Sequence, residues 1–102
     1  MSMISIYERE IEELKKQIVD LERDKVDCLE SINKLQKRVE EAIKIAFITS
    51  SATRRKTKSK LAGDLNKRLL KEKDRLSKIE KSLAEKHKAL LEKETKLKKI
   101  SA

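Results

Sequence analysis

The sequence predicts an all-α protein, an antiparallel coiled-coil hairpin of two long helices that forms a single domain over residues 1–102. Proline is absent and glycine occurs once, so few positions would break a helix. Charged residues make up 44% of the chain, which is typical of long helices with solvated faces. Apolar residues also recur every seven positions in both halves, which is the coiled-coil pattern (heptad positions a to g, with a and d apolar).

The first helix is expected over about residues 4–48, where the repeat is sustained. Its a and d positions are apolar from Ile4 to Ala46 except at Lys25, a polar a residue of the kind that fixes register. Cys28 occupies a d position, and we interpret it as a core thiol. The main seam residues predicted for this helix are Ile11, Leu14, Ile18, Leu21, Ile32, Leu35 and Val39.

A run of serine and threonine at about residues 49–53 predicts the turn, because hydroxyl side chains favour helix ends and the apolar repeat loses phase there. Gly63-Asp64 is an alternative turn, with glycine ending one helix and aspartate starting the next. A single unbroken helix is a third alternative. We favour the first turn, which gives near-equal arms and places Gly63 inside the second helix.

The second helix is expected over about residues 54–100. Its a positions repeat at strict sevens, whereas its d positions are interrupted by Glu72, Lys86 and Lys93. The seam residues predicted for this helix are Leu69, Leu76, Ile79, Leu83, Leu90 and Leu97.

Charge supports the antiparallel pairing. Residues 1–30 carry nine acidic and five basic side chains, and residues 78–99 carry eight basic and four acidic ones. A hairpin places these segments side by side, with Lys86 and Lys93 facing Glu8, Glu10, Glu12 or Glu13. Exposed ion pairs contribute little free energy, so charge would select the register more than it stabilises the fold.

Several apolar residues lie outside the two seams. A widened apolar stripe suits a helix with more than one neighbour, which predicts that hairpins associate as dimers or larger homo-oligomers, in bundles of four or more helices. Scattered exposed aliphatic residues are the alternative interpretation. The candidate outer interface comprises Val19, Val26, Ile43, Phe47, Leu70 and Leu91.

A basic cluster follows the predicted turn, and the chain as a whole has a net charge of +9. Such a tip could hold an acidic protein, an anionic membrane surface or nucleic acid. Nucleic acid is the least favoured of these because aromatic residues for base stacking are scarce. The candidate anion-binding residues are Arg54, Arg55, Lys56, Lys58 and Lys60, and a plain solvated tip is the alternative.

No catalytic, metal-binding or cofactor motif is present in the sequence, so we expect a non-enzymatic protein without a cofactor. His87 has no neighbours at metal-ligand spacing. No apolar run approaches the length of about 20 residues that spans a bilayer. The start of the chain lacks the features of a signal peptide, and the single cysteine gives no sign of an oxidising compartment, so we expect a cytoplasmic protein.

The chain resembles the N-terminal coiled-coil region that precedes the TIR domain in some bacterial TIR-domain proteins. The resemblance rests on the opening segment 7–11, the segment 18–22, the Ser/Thr-rich break at 49–53 and the basic segment 58–61 that follows it. It implies a chain that continues into an attached TIR domain, a domain type that commonly cleaves NAD or signals in defence when clustered. The TIR domain lies outside this sequence, so no catalytic residue carries over.

Three functions therefore follow from the sequence. The favoured one is an oligomerisation or scaffold module that gathers attached domains. A binding module that uses the basic tip for an anionic partner is the second. A small stand-alone helical adaptor or chaperone-like protein is the third.

Overall fold

A computed structural model describes residues 2–102, and this part of the chain contains two helices and no strand. Helix α1 covers Met3–Ile48 and helix α2 covers Ala52–Ser101. Together they form a helical hairpin, which confirms the predicted fold class. The connection is residues 49–51, so α2 begins two residues earlier than the sequence suggested. Gly63 lies inside α2, and the alternative turn at Gly63-Asp64 is not formed.

Hydroxyl side chains cap both helices at their N-termini. The Ser2 Oγ accepts a hydrogen bond from the Ser5 backbone N–H at 3.2 Å, and the Ser51 Oγ accepts one from the Arg54 N–H at 3.2 Å. At the end of α1, the Arg55 Nη2 donates to the Thr49 carbonyl at 3.0 Å. The serine and threonine residues of the break therefore form hydrogen bonds at the helix ends that they separate.

The hairpin divides into two compact units. The turn unit is Val26–Ser77, and the terminal unit combines the chain up to Lys25 with Lys78–Ala102. In each unit, a segment of α1 packs against a segment of α2 along the a and d rows.

The buried core follows the predicted seams. In the turn unit the buried side chains are Cys28, Ile32, Leu35, Ala42, Ala46, Ala62, Leu65 and Leu69. In the terminal unit they are Ile11, Ile18, Ile79 and Leu83. The remaining predicted seam residues are half-buried, and these are Leu14, Leu21, Val39, Leu76, Leu90 and Leu97.

The two sides of the turn unit differ in the heptad positions that they display. On a coiled-coil helix, e and b lie beside a, whereas g and c lie beside d, and in an antiparallel pair like positions meet. One groove is bordered by Ile43 (e) of α1 and Ser59 (e) of α2. Another is bordered by Arg38 (g) and Arg68 (g). The e and b rows of both helices therefore share one side of this unit, and the g and c rows share the other.

Candidate functional site

The e and b rows of the turn unit carry large apolar side chains that the hairpin leaves in solvent. We name this surface the apolar face. Its members and their exposed fractions are Val26 54%, Leu29 44%, Ile43 54%, Phe47 88% and Leu70 59%. Exposed apolar side chains are ordinary when scattered, but large ones that share one side of a compact unit suit an interaction surface.

The packing of the two helices explains why this side stays open. On the opposite side of the unit, the g residues Ser31 and Ile45 are half-buried, whereas the e residues Leu29 and Ile43 are exposed. In α1 the g row is therefore partly covered, whereas the e row leaves its two large apolar residues exposed and half-buries the polar Gln36. The b row also contains Gly63, where an added Cβ would meet no atom within 4 Å.

Charge is sparse on the apolar face. The charged residues at e and b positions of the turn unit are Glu40, Lys56 and Lys73. This composition resembles the interior of a protein interface, where charged residues are depleted and large apolar ones are enriched.

The predicted outer interface is split between the two units. Val26, Ile43, Phe47 and Leu70 belong to the turn unit. Val19 and Leu91 belong to the terminal unit, where they are 53% and 66% exposed. Acidic residues occupy several e and b positions of the terminal unit, namely Glu8, Glu12, Glu22, Glu80 and Glu94. At the e and b positions, exposed apolar side chains are therefore more frequent in the turn unit than in the terminal unit.

The five candidate residues of the basic tip do not share one face. Arg54, Arg55, Lys56 and Lys60 are exposed, and Lys58 is half-buried. They fall at heptad positions g, a, b, f and d and so project around α2. The Arg55 guanidinium is engaged by the Thr49 carbonyl. Sequence reasoning missed a different basic set, Lys34, Arg38, Arg68 and Lys71, which borders a single groove. The shared g and c positions of these four are the signal that would have found them.

Cys28 is the best-buried side chain among residues 2–102, and it contacts a polar d residue of α2. Its Sγ donates to the Glu72 carbonyl oxygen at 3.2 Å and lies 3.5 Å from the Glu72 Oε2. Burial raises the pKa of the Cys28 thiol, the hydrogen bond and negative charge of Glu72 raise it further, and Arg75 opposes the change. A protonated, buried thiol is a poor nucleophile, so this geometry suits a core residue.

The polar d residue Lys93 forms the ion pair that the charge pattern predicted. Its Nζ lies 2.6 Å from the Glu10 Oε2 and 5.5 Å from the centre of the Tyr7 ring. The hydrogen bond to Glu10 raises the pKa of Lys93, and partial burial opposes this change. Lys93 thus keeps its charge beside the seam and marks the register of the terminal unit.

Two further kinds of site are not found within residues 2–102. No group of three or more histidine, cysteine, aspartate or glutamate side chains is placed to hold a metal ion there. Nor does either described helix contain a stretch long and apolar enough to cross a membrane.

Comparison with protein-family models, with curated proteins and with solved structures finds no match for this chain. The likeness to the region ahead of TIR domains therefore stays a prediction from the sequence. The functional interpretation depends on the faces of the hairpin itself.

Proposed function

We propose that this chain is a non-enzymatic oligomerisation module whose copies associate through the apolar face of the turn unit. The observation that carries the proposal is the exposure of five large apolar side chains on one side of one compact unit, with few charges among them. Such a module gathers whatever is attached or bound to it. On the resemblance seen in the sequence, an attached TIR domain is one such cargo.

The thin core of the hairpin supports a second copy as the occupant of this face. Among the described residues, Cys28 is the one side chain that is less than 2% exposed. Two helices share a single seam, and the apolar area buried by a small fold struggles to offset the conformational entropy that it loses. Packing a second hairpin on the apolar face converts a two-helix seam into a four-helix core.

The apolar face is also suited to pair with itself. Both helices contribute to it, and an isologous contact between two copies needs only one self-complementary patch. Covering ten half-exposed side chains would stabilise a dimer by about 10 kcal/mol, taking about 1 kcal/mol for each. Association costs about 4–15 kcal/mol in lost freedom, so the expected dimer is reversible and depends on concentration.

Sedimentation velocity over a range of protein concentrations tests this proposal. The wild-type chain should form dimers or larger oligomers at tens of micromolar. The double variant Phe47→Ser/Leu70→Ser should be monomeric and still helical, because both side chains are exposed in the hairpin.

Ile48 provides a matched control for Phe47. The two residues are adjacent and both are highly exposed, at 70% and 88%, but Ile48 occupies position c on the opposite side. Ile48→Ser should therefore leave association intact. A monomeric wild-type chain, or equal loss of association in the Phe47→Ser and Ile48→Ser single variants, would rule out the apolar face as the contact.

A further inference from the structure

The side of the turn unit opposite the apolar face contains a basic groove of about 370 Å³. Both helices line it. Its residues are Ser31, Lys34, Leu35 and Arg38 of α1 and Arg68, Lys71 and Glu72 of α2.

Four of the lining side chains are positively charged and have no acidic partner. Within residues 2–102, neither Lys34 and Arg38 on α1 nor Arg68 and Lys71 on α2 takes part in an ion pair. The one acid of the groove, Glu72, is already paired with Arg75, with 3.6 Å between the Oε2 and the Nη1. The groove therefore presents positive charge that is not neutralised by its own wall.

The spacing of the four residues explains how they converge. Lys34 and Arg38 are four residues apart, and Arg68 and Lys71 are three apart, so each pair lies on one side of its helix. The antiparallel packing of the seam sets the two pairs on opposite banks of one groove.

The field around the groove has the same sign. The turn unit as a whole carries fourteen basic and seven acidic side chains. Arg38 also borders a neighbouring groove of about 190 Å³ that contains Lys58 and the acid Glu41. Glu41 offsets only part of this positive charge, and an anion gains from the excess around it.

We propose that the basic groove binds a ligand with two or three linked phosphate groups, either a free polyphosphate or the phosphate chain of a nucleotide. Arginine offers a planar fork that binds two phosphate oxygens at once, and lysine adds a mobile point charge. Two arginines and two lysines on facing banks suit several phosphate groups in a row. The half-buried Ser31 adds a hydroxyl donor at the edge of this site.

The groove is suited to bind the phosphate groups of a ligand, and the described residues that line it include no aromatic side chain on which a base could stack. The two aromatic residues of the chain lie elsewhere, with Phe47 on the apolar face and Tyr7 in the terminal unit. The apolar contact in the groove is Leu35, which is itself buried in the seam. Base stacking therefore makes no contribution, and affinity should follow the number of phosphate groups.

This site is independent of the proposed self-association, because it uses the other side of the turn unit. Isothermal titration calorimetry with sodium tripolyphosphate at physiological salt tests it on the whole chain. The groove variant Lys34→Gln/Arg68→Gln/Lys71→Gln should bind about tenfold more weakly or worse, since it removes three charge-assisted contacts. All three positions are exposed, so the fold should persist, as circular dichroism would show.

The basic tip supplies a control variant of equal charge. Arg54→Gln/Lys56→Gln/Lys60→Gln removes the same three positive charges from exposed positions outside the groove. It should keep most of the affinity. An equal loss of affinity for tripolyphosphate in the two triple variants would mean that the overall positive charge, and not the groove, attracts the ligand. That result would overturn the proposal.

Two further arms complete the test. ATP should bind much more tightly than AMP. An affinity of ATP equal to that of tripolyphosphate would assign the free phosphate chain as a sufficient ligand, whereas a higher affinity would add a contact to the nucleoside and assign the nucleotide as the source of the phosphates. Equal affinity for ATP and AMP would contradict recognition of the phosphate chain. A wild-type chain that does not bind tripolyphosphate, or that binds duplex DNA without competition from it, would also overturn the proposal.

Discussion

At the scale of single residues, two polar d positions of α2, Glu72 and Lys93, are accounted for by their contacts. Glu72 offers its carbonyl and carboxylate oxygens to the Cys28 thiol, and Lys93 pairs with Glu10. Polar residues inside a seam cost stability but specify register. These contacts link particular residues of α1 and α2 and so disfavour a slipped hairpin.

The raised pKa of Cys28 predicts a loss of stability in alkaline solution. A group that holds its proton more tightly in the folded state contributes its full stability below its unfolded pKa, here near 9.0, and loses it as pH rises through the folded value. Cys28→Ala should cost stability at neutral pH because it leaves a small cavity. The difference from wild type should then shrink above pH 9.0.

Urea unfolding of both proteins over this pH range measures the effect. The two proteins differ in this one titratable side chain, so the comparison isolates its contribution. A difference in unfolding free energy that stays constant across pH would contradict the prediction.

At the scale of the helices, the seams and most of the apolar face were predictable from the sequence, and the basic groove was not. Periodicity alone places Ile11 and Leu69 inside, because a heptad row must face its partner helix. The basic groove depends in addition on which part of α2 lies beside Lys34 and Arg38, and that requires the register. The tip residues were grouped because they are neighbours in sequence, but consecutive positions on a helix project in different directions.

Gly63 shows where local preference and packing disagree. Glycine favours helix ends, yet this glycine is helical, has no positive φ, and has open space around the position of a Cβ. Gly63→Ala should therefore raise the free energy of unfolding by about 0.5–1 kcal/mol, because alanine loses less backbone entropy on folding.

Urea unfolding at protein concentrations low enough to keep the chain monomeric checks this value. Ser59→Ala is a suitable control, since it changes an exposed residue one turn earlier in the same helix and should have a smaller effect, because serine is a better helix former than glycine. A destabilised Gly63→Ala chain would mean that something packs on this position.

At the scale of the whole molecule, the two sides of the turn unit are suited to bind different partners. The apolar face matches another copy, whereas the basic groove matches phosphate. Most of the net charge of +9 belongs to this unit, with its fourteen bases and seven acids. Two copies that associate through their turn units therefore repel each other electrostatically while their apolar side chains attract.

This opposition predicts salt effects of opposite sign on the two activities. Added sodium chloride screens repulsion between like-charged copies, so self-association should strengthen with salt. The same salt competes with a phosphate ligand and should weaken tripolyphosphate binding. Sedimentation velocity and calorimetry at low and high salt measure the two trends on one preparation. Association that weakens with salt would mean that ion pairs, rather than Phe47 and its apolar neighbours, hold the copies together.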